Sequence, residues 1–113
     1  NAEHWEAYKR VNEKFCEAIL KKADPDDTIW VHDYQLLLLP KMLREVLPNA
    51  TIAFFQHIPF PSYEIIRMIP WRRELLEGVC GADLIGFHTY DDMRHFLSAV
   101  GRITGMSSES GYI

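Results

Sequence analysis

The chain has 113 residues, room for one domain with a small core; 48% are apolar and 12% aromatic, which argues against a disordered chain. A formal net charge of −4 disfavours nucleic acid or an anionic membrane surface as partner, since both ask for a basic face. The apolar run Leu36–Leu39 falls far short of the ~18 residues of a membrane span, and no signal-peptide pattern opens the sequence.

The first predicted element is a helix over residues 3–22. Trp5, Tyr8, Val11, Phe15, Ala18 and Ile19 recur at spacings of three and four, with charged residues between them. Ala23–Asp27 contains a proline and three aspartates, which end the helix in a turn. A strand, Thr28–Val31, runs into His32-Asp33-Tyr34. Residues 36–47 read as a second helix, with Pro40 at its start or at a kink. Strand Thr51–Phe55 then runs into Gln56-His57-Ile58-Pro59-Phe60-Pro61, where two prolines forbid continuation and stiffen the loop.

Ser62 is placed to cap a short helix through Met68, and Pro70 suits the first turn of the next, over 70–79. A third strand, Asp83–Phe87, leads into His88-Thr89-Tyr90. Thr89 and Asp92 have capping-box spacing ahead of a helix whose buried stripe reads Met93, Phe96, Leu97, Val100 and Ile103, with Gly105 just past its end. Cys16 and Cys80 fall in apolar helical contexts and read as unpaired thiols in a reducing compartment, the cytoplasm. The chain starts without methionine and ends in a polar stretch, Ser107–Gly111, before Tyr112-Ile113. Both ends read as cuts in a larger protein.

Strands alternating with helices predict an α/β fold, a parallel β-sheet with flanking helices of Rossmann-like type. The strands are almost continuously apolar, as expected for burial on both faces. Only three strands leave an exposed edge, which makes self-association an expectation for the isolated piece. In such sheets ligands bind beyond the carboxyl ends of the strands, and all three histidine-bearing clusters fall there.

Each cluster has a structural and a chemical reading. Asp33 suits a pair of sugar hydroxyls and also suits a helix cap. Tyr34 reads as packing or as a ligand contact. His57 suits hydrogen bonding to a sugar or phosphate oxygen, acid–base work, or a structural role; its proline-stiffened loop favours a preorganised site. His88 suits the capping loop, and His4 and His95 read as surface residues. Zinc on His32, His57 and His88 is disfavoured, because no metal-ligand spacing is present and neither cysteine accompanies them. Glu64, Arg67, Arg72, Arg73, Glu74 and Glu77 read as a solvated, ion-paired surface, the other reading being an arginine contact to a phosphate. No phosphate-binding glycine loop, nucleophile elbow or catalytic carboxylate pair is present.

Val31-His32-Asp33-Tyr34-Gln35-Leu36, Gln56-His57-Ile58-Pro59-Phe60-Pro61-Ser62 and Gly81-Ala82-Asp83-Leu84-Ile85-Gly86-Phe87-His88-Thr89-Tyr90 closely resemble the trehalose-6-phosphate synthases. So do Trp30 and Arg94-His95-Phe96-Leu97, and the motifs occur in the family's order over residues 8–105. The resemblance implies a retaining glycosyltransferase of two Rossmann-like domains, the GT-B architecture. Residues 1–113 would then be part of its acceptor-side, N-terminal domain, with the C-terminal nucleotide-binding domain as partner. It implies transfer of glucose from UDP-glucose to glucose 6-phosphate, with no metal or other cofactor and no enzyme nucleophile. It assigns Asp33 to the acceptor sugar and His57 to the transferring glucose as the catalytic histidine. Two local departures stand at Gln35, where the family commonly has histidine, and at Asp92, where it commonly has an aromatic. The expectation is that the 113-residue piece alone does not turn over. Two alternatives are a sugar-nucleotide transferase with another acceptor and a silent homologue that only binds sugar phosphate.

Overall fold

The structure, a computed structural model, describes residues 2–57 and 59–105. Ile58 and the terminal stretch read above as a polar loop and strand start lie outside the described residues. The elements are α1 (Ala2–Leu20), β1 (Thr28–His32), a 3-10 turn at Tyr34–Leu36, α2 (Leu39–Val46), β2 (Thr51–Gln56), α3 (Tyr63–Ile66), α4 (Arg72–Val79), β3 (Leu84–Phe87) and α5 (Tyr90–Thr104). The three strands form one parallel sheet in the order β1-β2-β3. No helix among the described residues is long and apolar enough to cross a membrane.

Sequential order with parallel strands forces both crossovers in the same direction. A right-handed crossover then places α2 and α4 on the same face of the sheet. α1 packs on α2, α2 on α4 and α4 on α5, so the helices form a single layer. Val31, Ile52 and Phe54 point into that layer and meet Leu39, Leu43, Leu76, Val79, Phe96 and Val100 in one core.

The expectation of strands buried on both faces is therefore corrected. Along the opposite face Trp30, Ala53 and Leu84 stand in register, and Trp30 and Leu84 are 63% and 64% exposed. Continuous apolarity marks strands that are covered on both sides; within the described residues only one side is covered.

Helix α1 starts and stops as predicted, but its buried face differs. Asn12 and Cys16 are buried, whereas Val11, Phe15 and Ala18 are exposed. Asn12 turns inward because its amide donates to Tyr8 O and Gln35 O, which satisfies those donors away from water. The Tyr8 hydroxyl accepts from Leu37 N and donates to Tyr34 O, tying α1 to the loop after β1. The single helix read over 36–47 is a 3-10 turn followed by α2, with Pro40 in the first helical turn. Ser62 precedes α3, but its side chain makes no capping bond; its carbonyl accepts from Ile65 N and Ile66 N instead. Pro70 lies ahead of α4 rather than inside its first turn. Thr89 caps α5 as expected, accepting from Asp92 N, and Gly105 closes it at φ 79°. Both cysteines are unpaired, and burial raises the Cys80 thiol to about 11.

Arg44, near the end of α2, ties the lower edge of the sheet together. It donates to Gly81 O, Pro48 O and Ala50 O, and pairs with the Asp83 carboxylate. Asp83 in turn accepts from Ile52 N at 2.8 Å, and its own amide donates to Ile52 O, so it extends the β2–β3 pairing. Beside this clasp a Cβ on Gly81 would lie 2.5 Å from Lys41 Cα, so only glycine lets the end of α4 meet α2.

Two stability predictions follow from the clasp. Arg44→Leu is expected to lower unfolding free energy by about 2–3 kcal/mol, the scale of charge-assisted bonds lost at once; urea unfolding of the chain at neutral pH measures it. The Ile52 amide bond, followed by Arg44, holds the Asp83 carboxyl below its usual range. The associated stability is complete above the ordinary carboxylate value near about 3.9 and is lost as pH falls through the lowered native value. The gap between the chain and Asp83→Asn is therefore expected to narrow in urea titrations below about pH 4.

Candidate functional site

At the carboxyl ends of the strands the three clusters converge. β1 ends at His32, β2 runs directly into His57, and His88 follows β3. His32 Nδ1 lies 2.9 Å from His57 Nε2, and their nearly coplanar rings meet edge to edge with centroids 5.0 Å apart. The His57 ring also faces Phe55 at 4.7 Å and His88 at 5.5 Å, and Phe55 meets His88 edge-on at 5.3 Å. His32, His57 and His88 are all exposed. Among the described residues no group of three His, Cys, Asp or Glu is arranged to hold a metal ion.

Asp33 is the turning point between β1 and the next loop. Its backbone sits at φ 69°, ψ 169°, a region that residues other than glycine occupy only under strain. Three bonds hold it there, one of them from Leu36 N to the Asp33 carbonyl at 3.1 Å. Its amide donates to Phe55 O at 3.0 Å, continuing the sheet, and its Oδ1 accepts from His57 N at 2.8 Å. The helix-cap reading of Asp33 is thereby corrected: the side chain reaches across to the neighbouring loop and makes no bond to the turn that follows it. One carboxylate oxygen positions His57, and the other is left to serve as an acceptor. The exposed Tyr34 follows; its main-chain carbonyl, not its ring, carries the link to α1.

The loop carrying His57 is held by more than its prolines. Phe60 is buried and packs edge-on against Phe96 at 5.3 Å and Phe87 at 6.2 Å. Its amide donates to Asp92 Oδ1 at 3.3 Å, and its carbonyl lies 3.3 Å from His95 Nδ1. A carbonyl only accepts, so His95 Nδ1 carries the hydrogen. His95, read from sequence as a surface residue, is half-buried, and the buried Asp92 does more than complete a capping box. Their spacing of three on α5 was the available signal, since one helical face presents both.

Gly86 is the other residue whose role the sequence did not show. It pairs with Phe55 across β2 and β3, and a Cβ there would come within 2.5 Å of the Phe55 ring. The missing side chain lets that ring lie flat over the strand and back up both His57 and His88.

A separate groove of about 440 Å³ opens on the helix side, lined by Trp5, Tyr8, Tyr34, Phe60, Ile66 and Trp71 among others. Trp5 and Trp71 stack within it at 5.1 Å. Its walls are almost wholly apolar, and of the predicted site residues only Tyr34 reaches it. The convergence of polar groups at the strand ends is the better basis for ligand chemistry.

Comparison with known proteins agrees with this geometry. The model of glycosyltransferase family 20 matches residues 1–112. The α,α-trehalose-phosphate synthase [UDP-forming] of Pichia angusta is 58% identical over 104 residues, which cover 88% of this chain and 22% of that protein. The chain thus spans about a fifth of the length of the curated relatives it matches. The N-terminal domain of Candida albicans trehalose-6-phosphate phosphatase superposes with a TM-score of 0.94 at 44% identity, covering 96% of this chain and 23% of that one. A Burkholderia xenovorans synthase solved in complex with glucose-6-phosphate gives 0.84 at 37% identity, covering 91% and 23%. The sheet with its flanking helices is thus part of the N-terminal domain of a GT-B glycosyltransferase, and the chain belongs to glycosyltransferase family 20.

Proposed function

We propose that the full-length protein transfers glucose from UDP-glucose to glucose 6-phosphate, releasing UDP and α,α-trehalose 6-phosphate with retention at the anomeric carbon. Residues 1–113 form part of its acceptor-side domain, and the nucleotide-binding domain of the same protein is the partner across the site. The observation that carries the reading is the bond from the His57 amide to the Asp33 carboxylate. It ties the Asp33 side chain to the main chain of His57, joining neighbouring strand ends where a parallel sheet binds its ligands. The two unpaired thiols support a cytoplasmic setting.

The residues divide the work. Asp33 offers a carboxylate oxygen to hydroxyls of the acceptor sugar. His57 offers a ring nitrogen to the transferring glucose. In this reading neither acts as a nucleophile; their contribution is orientation of two sugars and stabilisation of charge as the glycosidic bond to UDP breaks. The 113-residue chain by itself is expected to give no turnover.

A second reading has its own support in the likeness to the Candida albicans phosphatase N-terminal domain. A silent homologue would use the same scaffold to bind sugar phosphate without transfer. The two readings part on one assay: UDP release by the full-length protein with UDP-glucose and either glucose 6-phosphate or glucose. Release that requires glucose 6-phosphate supports the synthase; no release with either acceptor supports the silent homologue.

Two substitutions in the full-length protein test the residue roles. Asp33→Gly tolerates the strained backbone and removes the carboxylate. It is expected to raise KM for glucose 6-phosphate or lower kcat/KM on the order of tenfold or more, the worth of a charge-assisted bond; UDP affinity, read by calorimetry, should hold. His57→Ala is expected to reduce transfer by about 1–3 kcal/mol of transition-state stabilisation, or on the order of tenfold to a hundredfold in rate. Wild-type steady-state rates would return His57 to a structural role.

A further inference from the structure

His57 presents two ring nitrogens, and one of them is already engaged. Its Nε2 lies 2.9 Å from His32 Nδ1, a hydrogen-bonding distance between two side chains 25 positions apart in sequence. A single hydrogen lies between the two nitrogens, so one ring donates and the other accepts. Whichever ring donates, the tautomer of each is set by the other. The rings meet edge to edge and nearly coplanar, with planes 22° apart, and Trp30 borders His32 at 6.3 Å. On the opposite flank of His57 lie Phe55 and His88. Its main chain is held by Asp33. The imidazole of His57 is thus clamped in plane, in tilt and at one nitrogen, although it is exposed to solvent.

A surface histidine without such partners samples several rotamers and both tautomers. A side chain that must meet a sugar in one orientation benefits from losing that freedom before the ligand arrives. We propose that His32 is a positioning residue for His57: the Nδ1–Nε2 bond fixes the orientation of the His57 ring, couples its tautomer to that of His32, and leaves His57 Nδ1 as the nitrogen open to the transferring sugar. His32 acts through His57 and need not touch substrate. This inference rests on the reading of His57 given under the proposed function, and its test separates the two.

The experiment uses the full-length protein and follows UDP release at saturating UDP-glucose while glucose 6-phosphate is varied up to saturation. Four variants are compared: His32→Phe, which keeps an aromatic ring and removes the bond; His32→Ala, which removes both; His32→Asn, whose amide sits near the position of Nδ1; and His57→Ala. His32 is exposed, so the three changes at this position are expected to fold; should His32→Phe not do so, His32→Ala carries the same comparison. The expected result is a fall in kcat on the order of tenfold or more for His32→Phe and His32→Ala, the scale of losing a positioned group. KM for glucose 6-phosphate should stay within about twofold, because acceptor contacts are untouched. His32→Asn should recover most of the loss. In the double variant of His32→Phe with His57→Ala the losses should not add, since both remove one unit.

A merely structural role would lower the fraction folded and leave kcat per folded molecule unchanged. Wild-type kcat in both His32→Phe and His32→Ala with an impaired His57→Ala overturns the proposal while the reading of His57 stands. Full additivity in the double variant does the same. Wild-type kcat in His57→Ala overturns that reading and the proposal with it.

Discussion

The direction of the crossovers governs everything else in this chain. Three parallel strands in sequential order require each connection to climb back over the same face. The helices consequently gather on one side, and all three strands deliver their carboxyl ends to one edge. The histidines and Asp33 are neighbours because of that geometry, not because they are close in sequence. The same geometry leaves Trp30 and Leu84 on the uncovered face, where nearly continuous apolar strands would otherwise imply a second layer.

Within that frame the edge is organised around one unfavourable residue. Asp33 occupies backbone angles that cost of order 1–3 kcal/mol for a side-chain-bearing residue. The cost is offset by its amide bond to Phe55 O and by the carboxylate bond to His57 N. The strain has a geometric effect: it turns the side chain off the path of the sheet and across to the next strand's loop. On the other side of that loop, Asp92 and His95 from α5 hold the amide and the carbonyl of Phe60. The His57 segment is therefore held at its start from β1 and farther on from the last helix.

Much of this was legible in the sequence, for reasons that can be named. Short apolar runs separated by amphipathic segments gave the parallel sheet, and the histidine clusters fell together at the carboxyl ends of its strands. The capping threonine of α5 and its terminal Gly105 were readable because those positions have strong local chemistry. What escaped was non-local. The inward turn of Asn12 depends on the carbonyl of Gln35, 23 residues away, so a hydrophobic count found only part of the covered face of α1: Trp5, Tyr8 and Ile19 lie on it, whereas Val11, Phe15 and Ala18 do not. Asp33 looked like a cap because its distant partner, the His57 amide, leaves no trace in local spacing. His95 looked like a surface residue because periodicity does not reveal a carbonyl 35 residues earlier.

Phe55 and Gly86 show how such long-range dependence constrains change. The aromatic ring occupies the space that a side chain at Gly86 would need. The two positions consequently behave as one volume shared across two strands. A larger residue at one is admissible only with a smaller residue at the other, and a swap of sizes would move the bulk from behind His57 and His88 to the far strand. Substitutions at either position alone, made for reasons unrelated to sugar chemistry, would therefore reach the site through displaced aromatic packing.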